Sequence, residues 1–314
     1  MTKIIFMGTP NFSVAVLKNL LANDYDVIAA VTQPDRPVGR KKKLTQTPVK
    51  KEAIANNIPV YQPEKLSGSP ELDELMNLDA DLIITAAYGQ FLPNKFLNSV
   101  KIAAINVHGS LLPKYRGGAP IQRAIMNGES QTGITIMYMA KKMDAGDMIS
   151  QVAIPITEED TAGSIFEKLS QVGSQELIRD LPSIIAGNNR QMKQNDDFVT
   201  FAPNIARSEE KIDINKPAVE INRQVRGLNP DPVAYLDLNN ERTKIYQTTV
   251  SNETTDLKPG TVVDRTKKKL AVAAGNGSIL YLDQIQPAGK SVMPIAAFLN
   301  GKGKDIKVGE TIIK

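Results

Sequence analysis

Residues 3–31 read KIIFMGTPNFSVAVLKNLLANDYDVIAAV. Lys3–Met7 is a short apolar, β-branched run that stops at Gly8, the pattern of a buried strand. Asn11–Ala22 places Phe12, Val16 and Leu20 on one helical face, with Asn11 available as an N-cap. Asp26–Val31 is a second buried strand. The same alternation continues downstream. Thr47-Pro48 opens a helix, threonine capping it and proline suiting its first turn. Val60 marks a short strand and Glu71–Met76 a helix. Asp81–Thr85 and Ile102–Val107 are strands, Ala119–Met126 a helix and Gly133–Met139 a strand. Strands alternating with helices predict an α/β fold with a mostly parallel sheet covered on both faces. Such a sheet places its site beyond the carboxyl ends of its strands, here after Met7, Val31, Thr85 and Val107. Gly8-Thr9-Pro10 lacks the GxGxxG spacing, so no dinucleotide site is expected there.

Asp160–Gly187 carries a helical apolar pattern, with Pro182 expected to break or kink it. Asn188–Asp197 (NNRQMKQNDD) is polar and reads as a linker. Beyond a helix near Pro217–Val225 come short β-like runs: Val233–Leu238, Lys244–Tyr246, Thr261–Val263, Leu270–Ala273, Ser278–Leu282 and Thr311–Ile313. Turn residues separate them, which suits a small all-β barrel such as an OB-like fold. The chain's 314 residues are more than one core normally supports, so two domains are expected.

The chain has no cysteine and one histidine, His108. Disulfides, thiolate chemistry and a zinc site are therefore excluded, and no metal is expected. No apolar run approaches the ~20 residues of a bilayer span, and the first residues lack a leader pattern, so no membrane association and a cytoplasmic location are expected. The net charge of +4 lies in the C-terminal third. From Ala206 onward there are 17 basic and 13 acidic residues, against 21 of each before it. A small basic domain suits a polyanionic partner, or is a solvated surface.

The richest chemistry is in INVHGSLLPKYRGGAPI, residues 105–121. Asn106 and His108 are two apart at a strand end, so they project to one side. An amide and an imidazole in such a place need partners. Asp144, in MDAGD, lies beyond the predicted strand ending near Met139, which in a parallel sheet could neighbour the His108 strand. Its carboxylate would orient the imidazole, unless it is only a turn residue. Asn106 could donate to an oxygen gaining charge, and His108 could move a proton for an amine attacking a carbonyl.

These residues resemble the core of the folate-dependent formyltransferases. MGTPNFS near the start, TQPDRPVGR ending at Arg40, RGLNPDPVAY at Arg226–Tyr235 and QPAGK at Gln286–Lys290 extend the likeness over nearly the whole chain, specifically toward the branch acting on methionyl-tRNA. The resemblance implies a Rossmann-like formyltransferase domain over residues 1–189, a linker over 190–206 and an OB-like tRNA-binding domain over 207–314. It implies transfer of the formyl group of 10-formyltetrahydrofolate to the methionine amino group of initiator methionyl-tRNA. Asn106 would polarise the formyl oxygen, His108 assist proton transfer and Asp144 hold His108. Ser110, Leu111, Leu112 and Pro113 would line the folate site. No protein partner is implied, and a monomer is expected.

The segment DRPVGRKKKLTQTPVKK, residues 35–51, holds Arg36, Arg40, Lys41, Lys42, Lys43, Lys50 and Lys51. Alone, it is a phosphate-binding loop or a solvated charge run. In the resembled family it is an insertion that engages the acceptor end of tRNA, with Arg40 at an important position and Arg36 and Lys41–Lys43 beside it. Lys41 stands where that family often has glycine. A sugar-nucleotide formyltransferase would share the trio but has no need of the basic loop.

Overall fold

The computed structural model describes residues 2–39 and 41–313, which fall into two compact units. The first gathers the residues up to Pro120 with Gln131–Pro155 and Phe166–Pro203; the second gathers Ile121–Ser130, Ile156–Ile165 and Asn204 onward.

The first part of the chain runs through β1 (Lys3–Gly8), α1 (Asn11–Ala22), β2 (Asp26–Val31), β3 (Arg36–Val38), β4 (Lys43–Thr45), α2 (Pro48–Ala55) and β5 (Val60–Tyr61). It continues through α3 (Pro70–Met76), β6 (Leu82–Ala86), α4 (Asn94–Leu97), β7 (Ala103–His108), α5 (Pro120–Met126), β8 (Gln131–Tyr138), β9 (Met148–Pro155) and α6 (Ala162–Ile185). Among the described residues the main sheet has seven strands in the order β5-β2-β1-β6-β7-β8-β9. The pairs from β5 to β7 are parallel; β8 and β9 are antiparallel to their neighbours.

Strand alternation divides the core. Ile5, Met7, Ala29, Val31, Ile83 and Ala104 join Leu72, Leu75 and Phe96 in one buried cluster. On the other face α6 packs so closely that a Cβ on Gly173 would lie 3.0 Å from Val107 and 3.1 Å from Ile134. Val107 points to α6, so its neighbours Asn106 and His108 point the opposite way. Phe12 of α1 meets Phe166 of α6 edge to face, ring centroids 6.4 Å apart.

The structure corrects several expectations. Asn11 is not the cap of α1: Pro10 holds that position without a side-chain bond. Ser13 serves the helix start instead, accepting from the Thr9 N–H at 3.1 Å and donating to the Ala86 carbonyl at 2.5 Å. Gly8 permits this approach, because a Cβ there would lie 2.9 Å from the Ala86 oxygen. The strand after His108 is antiparallel, not parallel. Helix α5, about 10 Å long, belongs from Ile121 onward to the second unit. The next strand, β8, pairs antiparallel with β7 and sets Thr135 opposite His108. Pro182 lies inside α6, near its end, and Ala186 still donates to its carbonyl.

The second unit contains α7 (Ala218–Gly227), β10 (Tyr235–Leu238), β11 (Glu241–Thr254), β12 (Val262–Arg265), β13 (Leu270–Ala273), β14 (Ser278–Pro287), β15 (Met293–Pro294) and α8 (Ile295–Leu299). The sheet order is β10-β11-β14-β13-β12, with β15 on β14. Bridges from Ile313 to Leu238 and from Thr311 to Thr261 join its two edges, closing a barrel. Val225, Leu228, Ile245, Leu280 and Phe298 are among its core residues.

Candidate active site

Asn106 and His108 end β7 at the carboxyl edge of the sheet. His108 is 5% exposed. Its Nε2 lies 3.1 Å from the Tyr115 carbonyl oxygen. A carbonyl only accepts, so Nε2 carries the hydrogen. Nδ1 faces Asp144 Oδ2 at 3.8 Å, beyond hydrogen-bond range. Asp144 sits in the turn joining β8 to β9, with φ +49°. Its Oδ2 accepts the Gly117 N–H at 2.9 Å. Gly117 has φ +129°, and a Cβ there would lie 2.6 Å from the Ala202 oxygen, so glycine is required. The antiparallel turn thus brings Asp144 to His108.

Thr85, on the neighbouring strand β6, is buried and donates its hydroxyl to Asn106 Oδ1 at 2.8 Å. The carboxamide oxygen is thereby engaged. The amide NH2 has no hydrogen-bond partner among the described residues. In the sequence Thr85 is only the last residue of a strand. Its role follows from the β6–β7 register, which pairs it with Asn106.

The four residues expected to line the folate site divide into two kinds. Ser110 and Leu112 are buried and already engaged. The Ser110 hydroxyl donates to the Lys114 carbonyl at 2.7 Å, and Leu112 packs with Met137 and Met148. Thr135 Oγ1 donates to the Ser110 carbonyl at 2.7 Å and accepts the Leu112 N–H at 3.1 Å, while Gln151 donates to the Leu112 carbonyl at 2.8 Å. Leu111 and Pro113 are half-buried. Loops after β1, β2 and β6 meet beside this edge: Thr9 and Gln33 donate to the Tyr88 carbonyl at 3.0 and 3.1 Å. Burial pushes the Tyr88 hydroxyl up to about 12, reinforced by the charge of Glu71.

The basic segment is a hairpin of β3 and β4, pairing Arg36 with Thr45 and Val38 with Lys43. Lys41, Lys42 and Lys43 are exposed, with no ion pair among the described residues; Arg40 lies outside those residues. Arg36 is committed to an ion pair with Glu64. Lys50 closes the hairpin base on Asp35 at 2.7 Å, and Gln62 donates to the other Asp35 oxygen at 2.8 Å. Those two hydrogen bonds hold the Asp35 carboxyl below the usual carboxylate range. Val38 and Leu44 stand exposed between the charges. In the second unit Lys267–Lys269 is exposed, with Lys269 Nζ 5.8 Å from the Tyr281 ring centroid. Arg242 covers Tyr235 at 3.7 Å. No group of three or more His, Cys, Asp or Glu able to hold a metal occurs among the described residues, and none of their helices is long and apolar enough to cross a membrane.

Residues 2–181 match the formyl transferase family and residues 204–303 match the formyl transferase C-terminal domain. The methionyl-tRNA formyltransferase of Latilactobacillus sakei subsp. sakei (strain 23K) is 58% identical over 100% of this chain and 98% of its own length. That of Pediococcus pentosaceus (strain ATCC 25745 / CCUG 21536 / LMG 10740 / 183-1w) is 56% identical over 100% of this chain and 98% of its own. Among solved structures, the sugar 3N-formyl transferase WlaRD shares the fold. Its TM-score is 0.68 and its identity 22%, over 93% of this chain and 99% of that one. With both family domains matched in order and full-length relatives more than half identical, the chain belongs to the methionyl-tRNA formyltransferases of the formyl transferase family.

Proposed function

We propose that this chain transfers the formyl group of 10-formyltetrahydrofolate to the methionine amino group of initiator methionyl-tRNA, giving formylmethionyl-tRNA for translation initiation. The observation that carries the catalytic assignment is the Asn106 carboxamide. Its oxygen is taken by Thr85, which leaves its NH2 to donate beside His108. Those N–H groups suit a formyl oxygen that gains charge as the amine adds. The amine forms a bond to the formyl carbon, and the bond from that carbon to folate N10 breaks. The amine loses a proton and N10 gains one. With Nε2 committed to the Tyr115 carbonyl, Nδ1 of His108 is the atom that exchanges this proton. Asp144, anchored by the Gly117 N–H, faces Nδ1 and stabilises the charge the ring acquires.

The residues present fit a folate. Leu111 and Pro113 offer half-buried surface next to the trio, while Ser110 and Leu112 brace that wall from within. Lys41–Lys43, with Arg40 and Arg36, suit the phosphates of the acceptor arm, and the basic barrel supplies a second binding surface. Arg36 would have to exchange Glu64 for phosphate. A sugar-nucleotide acceptor gives this hairpin no task. The chain works as a monomer in the cytoplasm, which sedimentation and cell fractionation would check.

The test is direct. The protein is incubated with 10-formyltetrahydrofolate and methionyl-tRNA, and formylmethionine is measured, with uncharged tRNA and a sugar nucleotide as controls. Formylation of methionyl-tRNA alone is expected; none by folded protein overturns the reading. His108→Ala should fold and lose turnover by about 10²–10⁴-fold.

A further inference from the structure

We propose that Gln194 is a positioning residue that ties together the two loops holding His108 and Asp144, so that the segment 192–202 completes the active site. The kinetic part of this inference rests on the formyl-transfer reading above; the geometric part does not.

His108 and Asp144 come from different connections. His108 ends β7 and Asp144 occupies the β8–β9 turn. At 3.8 Å the ring and carboxylate are too far apart to hold each other. Both are held by the short stretch Tyr115–Gly117: the Tyr115 carbonyl accepts from His108 Nε2 and the Gly117 N–H donates to Asp144 Oδ2. The geometry of the pair is therefore set by where this stretch stands relative to the turn.

Gln194 spans the two. Its Nε2 donates to the carbonyls of Asp144 and Gly146, each at 2.8 Å. Its Oε1 accepts from Arg116 Nε at 2.9 Å. The following residues bind the same stretch. Thr200 Oγ1 accepts the Tyr115 N–H at 2.9 Å, the Thr200 carbonyl accepts the Arg116 N–H at 2.9 Å, and Ala202 donates to the Arg116 carbonyl at 2.7 Å. The turn needs such ties. Asp144 has φ +49°, and a Cβ on Gly146 would lie 1.9 Å from the Tyr138 oxygen. A carboxamide suits the task because one end must donate to two carbonyls while the other accepts from a guanidinium. Glutamate has the same shape and keeps the Arg116 hydrogen bond, but sets a carboxylate oxygen against two carbonyl oxygens.

Full-length wild type, Gln194→Glu and Gln194→Met are compared in three measurements. The chain has one histidine, so the imidazole nitrogen signals in a ¹⁵N spectrum belong to His108 alone. Both variants should melt within a few degrees of wild type and show displaced, broadened imidazole signals. Their kcat should fall at least ~10-fold, with KM for folate and tRNA within about threefold. Unchanged imidazole signals, retained kcat, or failure of both variants to fold overturns the proposal, the last by making Gln194 a structural residue. If wild type fails to formylate methionyl-tRNA, the functional reading falls, and the imidazole signals still decide the role of Gln194.

Discussion

At the scale of single residues, the Asn106 carboxamide is the sharpest case. It has one accepting and one donating end, and Thr85 selects between them by donating to the oxygen. Thr85→Val keeps the shape of the side chain and removes that donor. The amide is then free to flip, presenting its oxygen where the proposed mechanism calls for an N–H. A loss of roughly tenfold in kcat is expected, with KM for folate little changed, in steady-state formylation assays. An unchanged kcat would show that Asn106 is oriented by something else. Asn106 and His108 are legible in the sequence because two polar groups spaced by two at a strand end are costly to bury without purpose. Thr85, Tyr115 and Gly117 are not, because threonine in a strand is ordinary and the other two act through main-chain atoms, which side-chain identity does not reveal.

At the scale of elements, the basic hairpin behaves as a small independent device. Asp35, Lys50 and Gln62 staple its base, while Lys41–Lys43 stand free of ion pairs among the described residues. Replacing Lys41, Lys42 and Lys43 by alanine should raise KM for tRNA about tenfold near 0.1 M salt. It should flatten the slope of log affinity against log salt by about 0.7–0.9 for each phosphate that is no longer neutralised, leaving KM for folate unchanged. A parallel rise in the folate KM would mean that the hairpin supports the site structurally. The charge run is plain in the sequence, but its folding into β3 and β4 is not, since every residue of these strands except Thr45 is exposed and no apolar periodicity marks them. Strand β9 is hidden in a related way: its residues beyond Ile149 alternate between half-buried and exposed, as on a sheet edge. The outer half of β11, rich in threonine, is likewise open to solvent.

At the scale of the whole molecule, the second unit is discontinuous in sequence. It includes Ile121–Ser130 and Ile156–Ile165 as well as the residues from Asn204. Arg123 from the first of these segments pairs with both Glu209 oxygens, at 2.5 and 2.9 Å. Arg226 donates to the Asp160 carbonyl of the second at 2.8 Å. A chain beginning at Asn204 lacks both interactions and should melt below the corresponding transition of the full chain. Arg123→Ala isolates the ionic part and should lower that transition by roughly 5 °C near neutral pH. Its pH dependence has a definite sign. The Arg123 hydrogen bond, helped by the Ala206 N–H, holds Glu209 below the usual carboxylate range. The stabilisation is therefore present above the unfolded pKa and is lost as pH falls through the lowered one. The gap between variant and wild type should close in acid; a gap constant with pH would assign the loss to packing.

The alternation of buried strands with helices, and the shift to short strands after residue 206, specified an α/β sheet followed by a β-barrel because hydrophobic periodicity is local to each element. The residue types at 105–121 likewise marked the candidate site, because an amide, an imidazole and a proline- and glycine-rich loop have few other uses together. The direction of β8 rests on its long-range pairing with β7, and with it the route by which Asp144 reaches His108. The same holds for 192–202, whose polar residues look like a solvated joint when read alone. Only folding shows that Gln194 and Thr200 meet carbonyl and amide groups far away in the chain, because hydrogen bonds to main chain leave no pattern in the order of side chains.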